Sequence, residues 1–156
     1  MPAARSPCSG FSLAEYSKSN TAVRLDIDNE PLDEHLESAI NLFENVIQPV
    51  RDEFGPTRIT SGYRSEALNE AIGGSATSQH SKGQACDFEC DGTDNKEVVE
   101  WIIDNVDFDQ LILEFYNEED PNSGWIHCSF KDEESNRNQV LRALKRDGRT
   151  VYEHGL

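Results

Sequence analysis

The chain has 156 residues, and its 30 acidic against 14 basic side chains give a formal charge of -16 at pH 7. That length suits a single domain with a genuine core, and the acidic balance argues against nucleic acid or an anionic membrane as partner, because both need clustered Lys and Arg. No run approaches the roughly 20 apolar residues of a transmembrane helix, and Met1-Pro2-Ala3-Ala4-Arg5 is not followed by a secretory apolar stretch; a soluble protein made in the cytoplasm, and a monomer, is expected.

Residues 1–10 are small, polar and Pro-containing and are expected to form a flexible lead, with the domain spanning 11–156. Ser12-Leu13-Ala14-Glu15 fits a capping box and predicts a short helix. Residues 20–29 are expected to be a connecting loop. From Pro31, apolar residues such as Leu36, Ala39, Phe43, Val46, Ile47 and Val50 recur at helical spacing and define the main amphipathic helix, with a kink or restart at Pro49. His35 is expected on the exposed side of that helix and His154 in the tail, neither bound to metal.

Thr57-Arg58-Ile59-Thr60 is β-prone, and Ser65 can cap a helix through Ile72 that Gly73-Gly74 stops. Residues 85–90 alternate as a strand with Asp87 and Glu89 on one face. Asp94 or Asn95 starts a helix that ends near Asn105. Residues 110–115 and 125–130 read as two strands in an antiparallel pair, joined by the acidic loop 117–124. A last hairpin over 139–153 turns at Asp147-Gly148. Helices first and antiparallel strands later make an α+β domain, with N-terminal helices packed on a small antiparallel sheet. Cys8, Cys86, Cys90 and Cys128 lack paired C-x-x-C spacing, and Cys86 and Cys128 are expected to face away from the site as reduced core residues.

The chemistry concentrates in Ser78-Gln79-His80-Ser81-Lys82-Gly83-Gln84-Ala85-Cys86-Asp87. A His and a carboxylate seven residues apart, with Gly83 and Ala85 between, suit a tight turn that enters a strand. A second histidine stands in Trp125-Ile126-His127-Cys128-Ser129, an alternating run with the look of a buried strand. His80, Asp87 and His127 would supply three protein ligands and leave one position open, the arrangement of a catalytic rather than a structural zinc.

The pattern S-x-H-x-x-G-x-A-x-D, residues 78–87, followed by W-x-H, residues 125–127, resembles the zinc peptidases of bacterial cell-wall peptides. This is the D-Ala-D-Ala carboxypeptidase-like group, which includes vancomycin-resistance dipeptidases and phage endolysins and shares its fold with the hedgehog signalling domain. Phe11-Ser12-Leu13-Ala14-Glu15, Asp28-Asn29-Glu30-Pro31, Pro49-Val50-Arg51, Ser61-Gly62-Tyr63-Arg64-Ser65 and Gly73-Gly74-Ser75 are similar to the phage and prophage branch. The likeness runs from about residue 11 to 153. It implies Zn2+ as cofactor, a peptidoglycan stem peptide as substrate, and action on the cell wall as a phage lysis or tail enzyme or a bacterial remodelling one.

A zinc peptidase also needs a carboxylate base and a donor for the substrate or oxyanion. In many members of the group the base lies three residues before the last histidine ligand, and here that residue is Gly124. Glu114 is the expected replacement: it ends the strand that pairs with the His127 strand, and D-Q-L-I-x-E over 109–114 resembles the phage branch. Glu89, Glu118, Glu119 and Asp120 are the other candidates. Arg64 is the expected substrate anchor, able to grip a carboxylate or donate to an oxyanion. Ser78 and Gln110 can bond substrate or orient ligands, and Trp125 shares a strand face with His127 and can wall the cleft. The resulting expectation is a zinc metallopeptidase cutting a stem-peptide amide, as a carboxypeptidase or an endopeptidase. A non-catalytic zinc module that binds wall peptide or a protein partner is the alternative.

Overall fold

In the computed structural model, residues 11–120 and 122–156 are described; the expected lead over 1–10, and Cys8 within it, lie outside them. The capping box forms: Ser12 Oγ accepts the Glu15 N–H, Glu15 Oε2 accepts the Ser12 N–H, and α1 (Leu13–Ser17) follows. The expected loop over 20–29 instead begins with a one-turn helix, α2 (Asn20–Arg24), because Ser19 Oγ accepts the Ala22 N–H. A single turn is too short to show an apolar period, so the cap was its only sequence signal.

The long helix comes in three pieces. Regular α3 (Asp33–Leu42) passes through a π-turn (Phe43–Ile47) into α4 (Gln48–Phe54). Pro49 has no N–H to give to the preceding turn, and the wider π spacing just before it lets the helix continue with Pro49 in the first turn of α4. The expected irregularity is present, one turn earlier than the proline itself.

Six strands follow: β1 (Thr57–Ser61), β2 (Ala85–Cys90), β3 (Gln110–Glu114), β4 (Trp125–Ser129), β5 (Gln139–Arg146) and β6 (Arg149–His154), in the sheet order β1-β2-β4-β3-β5-β6. All neighbours are antiparallel except β3 and β5, which run parallel. Helix α5 (Glu66–Ala71) and a one-turn 3-10 helix (Gln79–Lys82) lie between β1 and β2, and α6 (Asn95–Asn105) follows β2. The fold is α+β, as the order of elements predicts.

The sheet divides its side chains between two faces. Cys86 and Phe88 of β2, Leu111 and Leu113 of β3, and Ile126 and Cys128 of β4 are buried against Phe43, Val46, Ile47 and Val50 of the long helix and Val98, Val99 and Ile102 of α6. The opposite face carries Asp87, Gln110, Ile112, Glu114 and His127. Cys86 and Cys128 are cross-strand neighbours and free thiols, and burial pushes both well above the usual thiol range. Among the described residues, no helix is long and apolar enough to cross a membrane.

Phe43 is fully buried and contacts the rings of Phe11 and Tyr16 at 5.0 and 5.2 Å between centroids. Phe43→Ala is expected to lower unfolding stability by about 3–5 kcal/mol in urea titrations, whereas Val23→Ala, on a side chain 82% exposed, should stay within about 0.5 kcal/mol.

Candidate metal centre

His80 sits in the 3-10 turn, where Ser78 Oγ accepts its backbone N–H at 3.3 Å. The turn ends at Gly83 in the left-handed region (φ 73°), and a Cβ there would lie 2.0 Å from the His35 carbonyl oxygen, so only glycine fits. The buried His80 ring points its Nδ1 at the Gly62 carbonyl oxygen, 2.7 Å away. A carbonyl only accepts, so Nδ1 carries the proton and Nε2 keeps its lone pair for a ligand.

That Nε2 faces Asp87 Oδ1 at 3.4 Å, and His127 Nδ1 meets the same oxygen at 2.8 Å. Asp87 and His127 are register partners on β2 and β4, so the strand ladder itself sets their approach. The ligand atoms of the three residues all lie within 4.8 Å of one another. Tetrahedral zinc with bonds of about 2.0–2.1 Å holds its ligand atoms about 3.3 Å apart, and the two separations from Asp87 Oδ1, 3.4 and 2.8 Å, bracket that value. Two neutral imidazoles and one carboxylate are donors that zinc accepts, and the set leaves a coordination position for water or substrate. Burial works to raise the Asp87 carboxyl, but hydrogen bonds and charge from His127 and His80 outweigh it and hold the group well below the usual range. The ligand is therefore ionised.

A cavity of about 640 Å³ opens over this cluster. Arg64, Ser78, Gln110 and Glu114 line it together with the three ligands. Glu114 ends β3 half-buried, and its carboxyl is raised by burial and by the Asp87 charge, with His127 pulling the other way. The Arg64 N–H donates to the His80 carbonyl at 3.2 Å, and its Nε is buried with no partner among the described residues. Trp125 is not part of this lining; it pairs with Glu114 across the ladder and packs on Phe115, ring centroids 5.3 Å apart.

The other candidate acids are occupied or remote. Glu89 accepts from Arg58 at 3.1 Å, and Glu118 bridges Arg142 and Lys96 at 3.0 and 3.3 Å. Glu119 and Asp120 are exposed in the loop and line no part of the cavity. Gly124 has φ 71°, and a Cβ on it would lie 2.0 Å from the Glu114 carbonyl oxygen. No side chain of any kind fits there.

These features agree with a family model described as Peptidase M15, which matches residues 9–129. The chain belongs to the peptidase M15 family. Members are zinc-dependent peptidases of the D-Ala-D-Ala carboxypeptidase-like type, and His80, Asp87 and His127 are the residues that could hold the metal in this one. No curated protein matches the chain.

Two residues differ from the sequence expectation or escaped it. His35 is half-buried rather than exposed: its Nδ1 lies 2.8 Å from the Tyr63 hydroxyl and its carbonyl packs on Gly83. It braces the turn that carries His80. Asp109 is fully buried and takes hydrogen bonds from Gln79 Nε2 at 2.9 Å and from Arg137 through its N, Nε and Nη2 at 3.1, 2.9 and 2.8 Å. It ties the His80 turn to the approach to β5. Its sequence signals were its place at the head of the D-Q-L-I-x-E motif and a charge just before a largely apolar strand, and neither pointed to Arg137.

Burial would raise the Asp109 carboxyl, yet the bonds from Arg137 and Gln79 bring it down to about 2. A lowered folded pKa stabilises above the unfolded value, and the contribution fades as pH falls from about 4 toward about 2. Asp109→Asn is expected to cost about 3 kcal/mol at pH 7, with the gap to wild type closing over that acid window in denaturant titrations at stepped pH. His80→Ala and His127→Ala should each abolish tight zinc binding, read as metal content after dialysis; stoichiometric zinc in both variants would remove the centre from these residues.

Proposed function

We propose that this peptidase hydrolyses an amide bond in peptidoglycan stem peptides, with Glu114 as general base and Arg64 at the substrate. The observation that carries the proposal is one cavity shared by three metal-ligand side chains and a half-buried carboxylate of raised pKa. Zinc, when bound by His80, Asp87 and His127, supplies Lewis acidity and makes water a nucleophile near neutral pH. Glu114 then has a defined task. It accepts a proton from the attacking water and returns it to the nitrogen of the leaving amine. Burial raises its carboxyl, with the Asp87 charge acting in the same direction and His127 against it, and a carboxyl so placed can take a proton and give it back.

Arg64 offers donors to a substrate carboxylate or to the developing oxyanion, and it lines the cavity beside the three ligand side chains. Ser78 and Gln110 flank the ligands. Gln110 Nε2 already donates to Gln139 Oε1 at 2.9 Å, which presents its amide oxygen as the free acceptor. Trp125, its ring tilted against that of Phe115, backs the strand end that carries Glu114.

Charge supports this substrate class. In a chain of net charge -16, the cavity gathers Arg64, Lys82, Lys131 and Arg137. Such a lining complements a peptide with several carboxylates, as stem peptides have at D-Glu and at the free terminus. The setting that fits is a phage or prophage lysis or tail enzyme, or a bacterial wall-remodelling one. Gly124 gave the non-catalytic zinc module its best support, but its contact with the Glu114 carbonyl explains that glycine structurally.

Zinc-loaded protein is expected to release new fragments from purified peptidoglycan, read by mass spectrometry and absent with chelator. Glu114→Ala should keep its zinc and lose about two to four decades of rate. Zinc retained without any turnover in the wild type would favour the binding module, and a near-wild-type rate for the variant would move the base elsewhere.

A further inference from the structure

We infer that the bond cut lies inside the peptide rather than at its carboxyl end; this rests on the peptidase reading above. The cavity that holds the ligands continues beyond them. A second cavity, of about 560 Å³, begins on the other side of Asp87 and Arg64, and both residues line both spaces. Its walls come from α1, the start of α2, β1 and the end of α5, with Glu15, Ser19, Thr60 and Ile72 among them. Each space alone is in the range that buries a drug-sized ligand. Sharing Asp87 and Arg64 as a common wall, the two offer room for peptide on both sides of these residues.

The place of Arg64 decides between the two modes of cleavage. A residue that recognises a terminal carboxylate has to stand where the substrate ends, at the blind end of a pocket. Arg64 stands where the two cavities meet. Its backbone N–H is bonded to the carbonyl of His80, which fixes its main chain beside that residue, and Arg64 lines both cavities. A substrate long enough to fill both spaces runs past Arg64, so the guanidinium meets the middle of the chain. The other cations do not form a terminal clamp either. Lys82 comes from the 3-10 turn, Lys131 from the segment after β4 and Arg137 from the approach to β5, where Asp109 already neutralises it.

Two forms of a stem pentapeptide ending in D-Ala-D-Ala, one with a free terminal carboxylate and one amidated, test this with the zinc-loaded protein. Purified peptidoglycan serves alongside, and products are read by mass spectrometry. Both peptides are expected to be cut at the same internal bond, leaving D-Ala-D-Ala intact in one product, at rates within about threefold. Release of terminal D-Ala alone, slowed about 30-fold or more by amidation, would overturn the inference and leave the peptidase reading standing. Thr60→Trp fills the second cavity from an exposed strand position and should raise KM about tenfold with zinc content and thermal unfolding unchanged. An unchanged KM would show that substrate does not enter that space and would overturn the inference as well. Absence of product from either peptide and from peptidoglycan, at full zinc occupancy, would remove the peptidase reading and this inference with it.

Discussion

One carboxylate oxygen, Asp87 Oδ1, meets both imidazoles of the centre, and the rest of the fold depends on holding that meeting in place. Two of the three ligands face each other across the β2–β4 ladder, whose hydrogen bonds leave little freedom in their separation. The third arrives on a single 3-10 turn, which has no such ladder and is fixed by its surroundings. Gly83 presses on His35, His80 Nδ1 is tied to Gly62, and Gln79 reaches Asp109. A buried carboxylate without compensation would be costly. Here two imidazoles, and a cation when one is bound, offset that cost.

The sheet makes this arrangement possible by keeping its two faces apart. Alternation sends Cys86, Phe88, Ile126 and Cys128 into the helix-covered core, and sends Asp87 and His127 to the side where the cavity lies. A shift of one residue in register would exchange the two sets, burying the ligands in hydrocarbon and exposing the core. The metal centre and the hydrophobic core thus demand the same register.

Much of this was legible in the sequence because it depends on short-range periods. Alternation over 85–90 and 125–129 placed the ligands on one face, the 3.6-residue period found the long helix, and Ser12 with Glu15 announced α1. The features that escaped are set by partners far along the chain. Asp109 and Arg137 lie 28 positions apart, and nothing local in either pairs them. His35 lies on the face of α3 that the His80 turn happens to cover, and a helical wheel cannot say which loops fold back onto it. The π-turn answers a proline in the sequence, but where a helix absorbs that defect depends on its packing.

A steric conflict at residue 124 bears on the proposed base. The resemblance drawn from the sequence would put a carboxylate at residue 124, three positions before His127. In this chain that residue has a left-handed backbone, with its missing Cβ directed at the carbonyl oxygen of Glu114. Any side chain at 124 would have to push away the end of β3, and β3 is the strand that carries the acid in the cavity. The two solutions therefore exclude each other. A chain that brings β3 this close to the turn before β4 has to use glycine at 124, and the carboxylate it presents to the cavity from β3 is Glu114. That choice puts the acid on a strand paired on both sides, with β4 and with β5, which is a stiffer support than a turn.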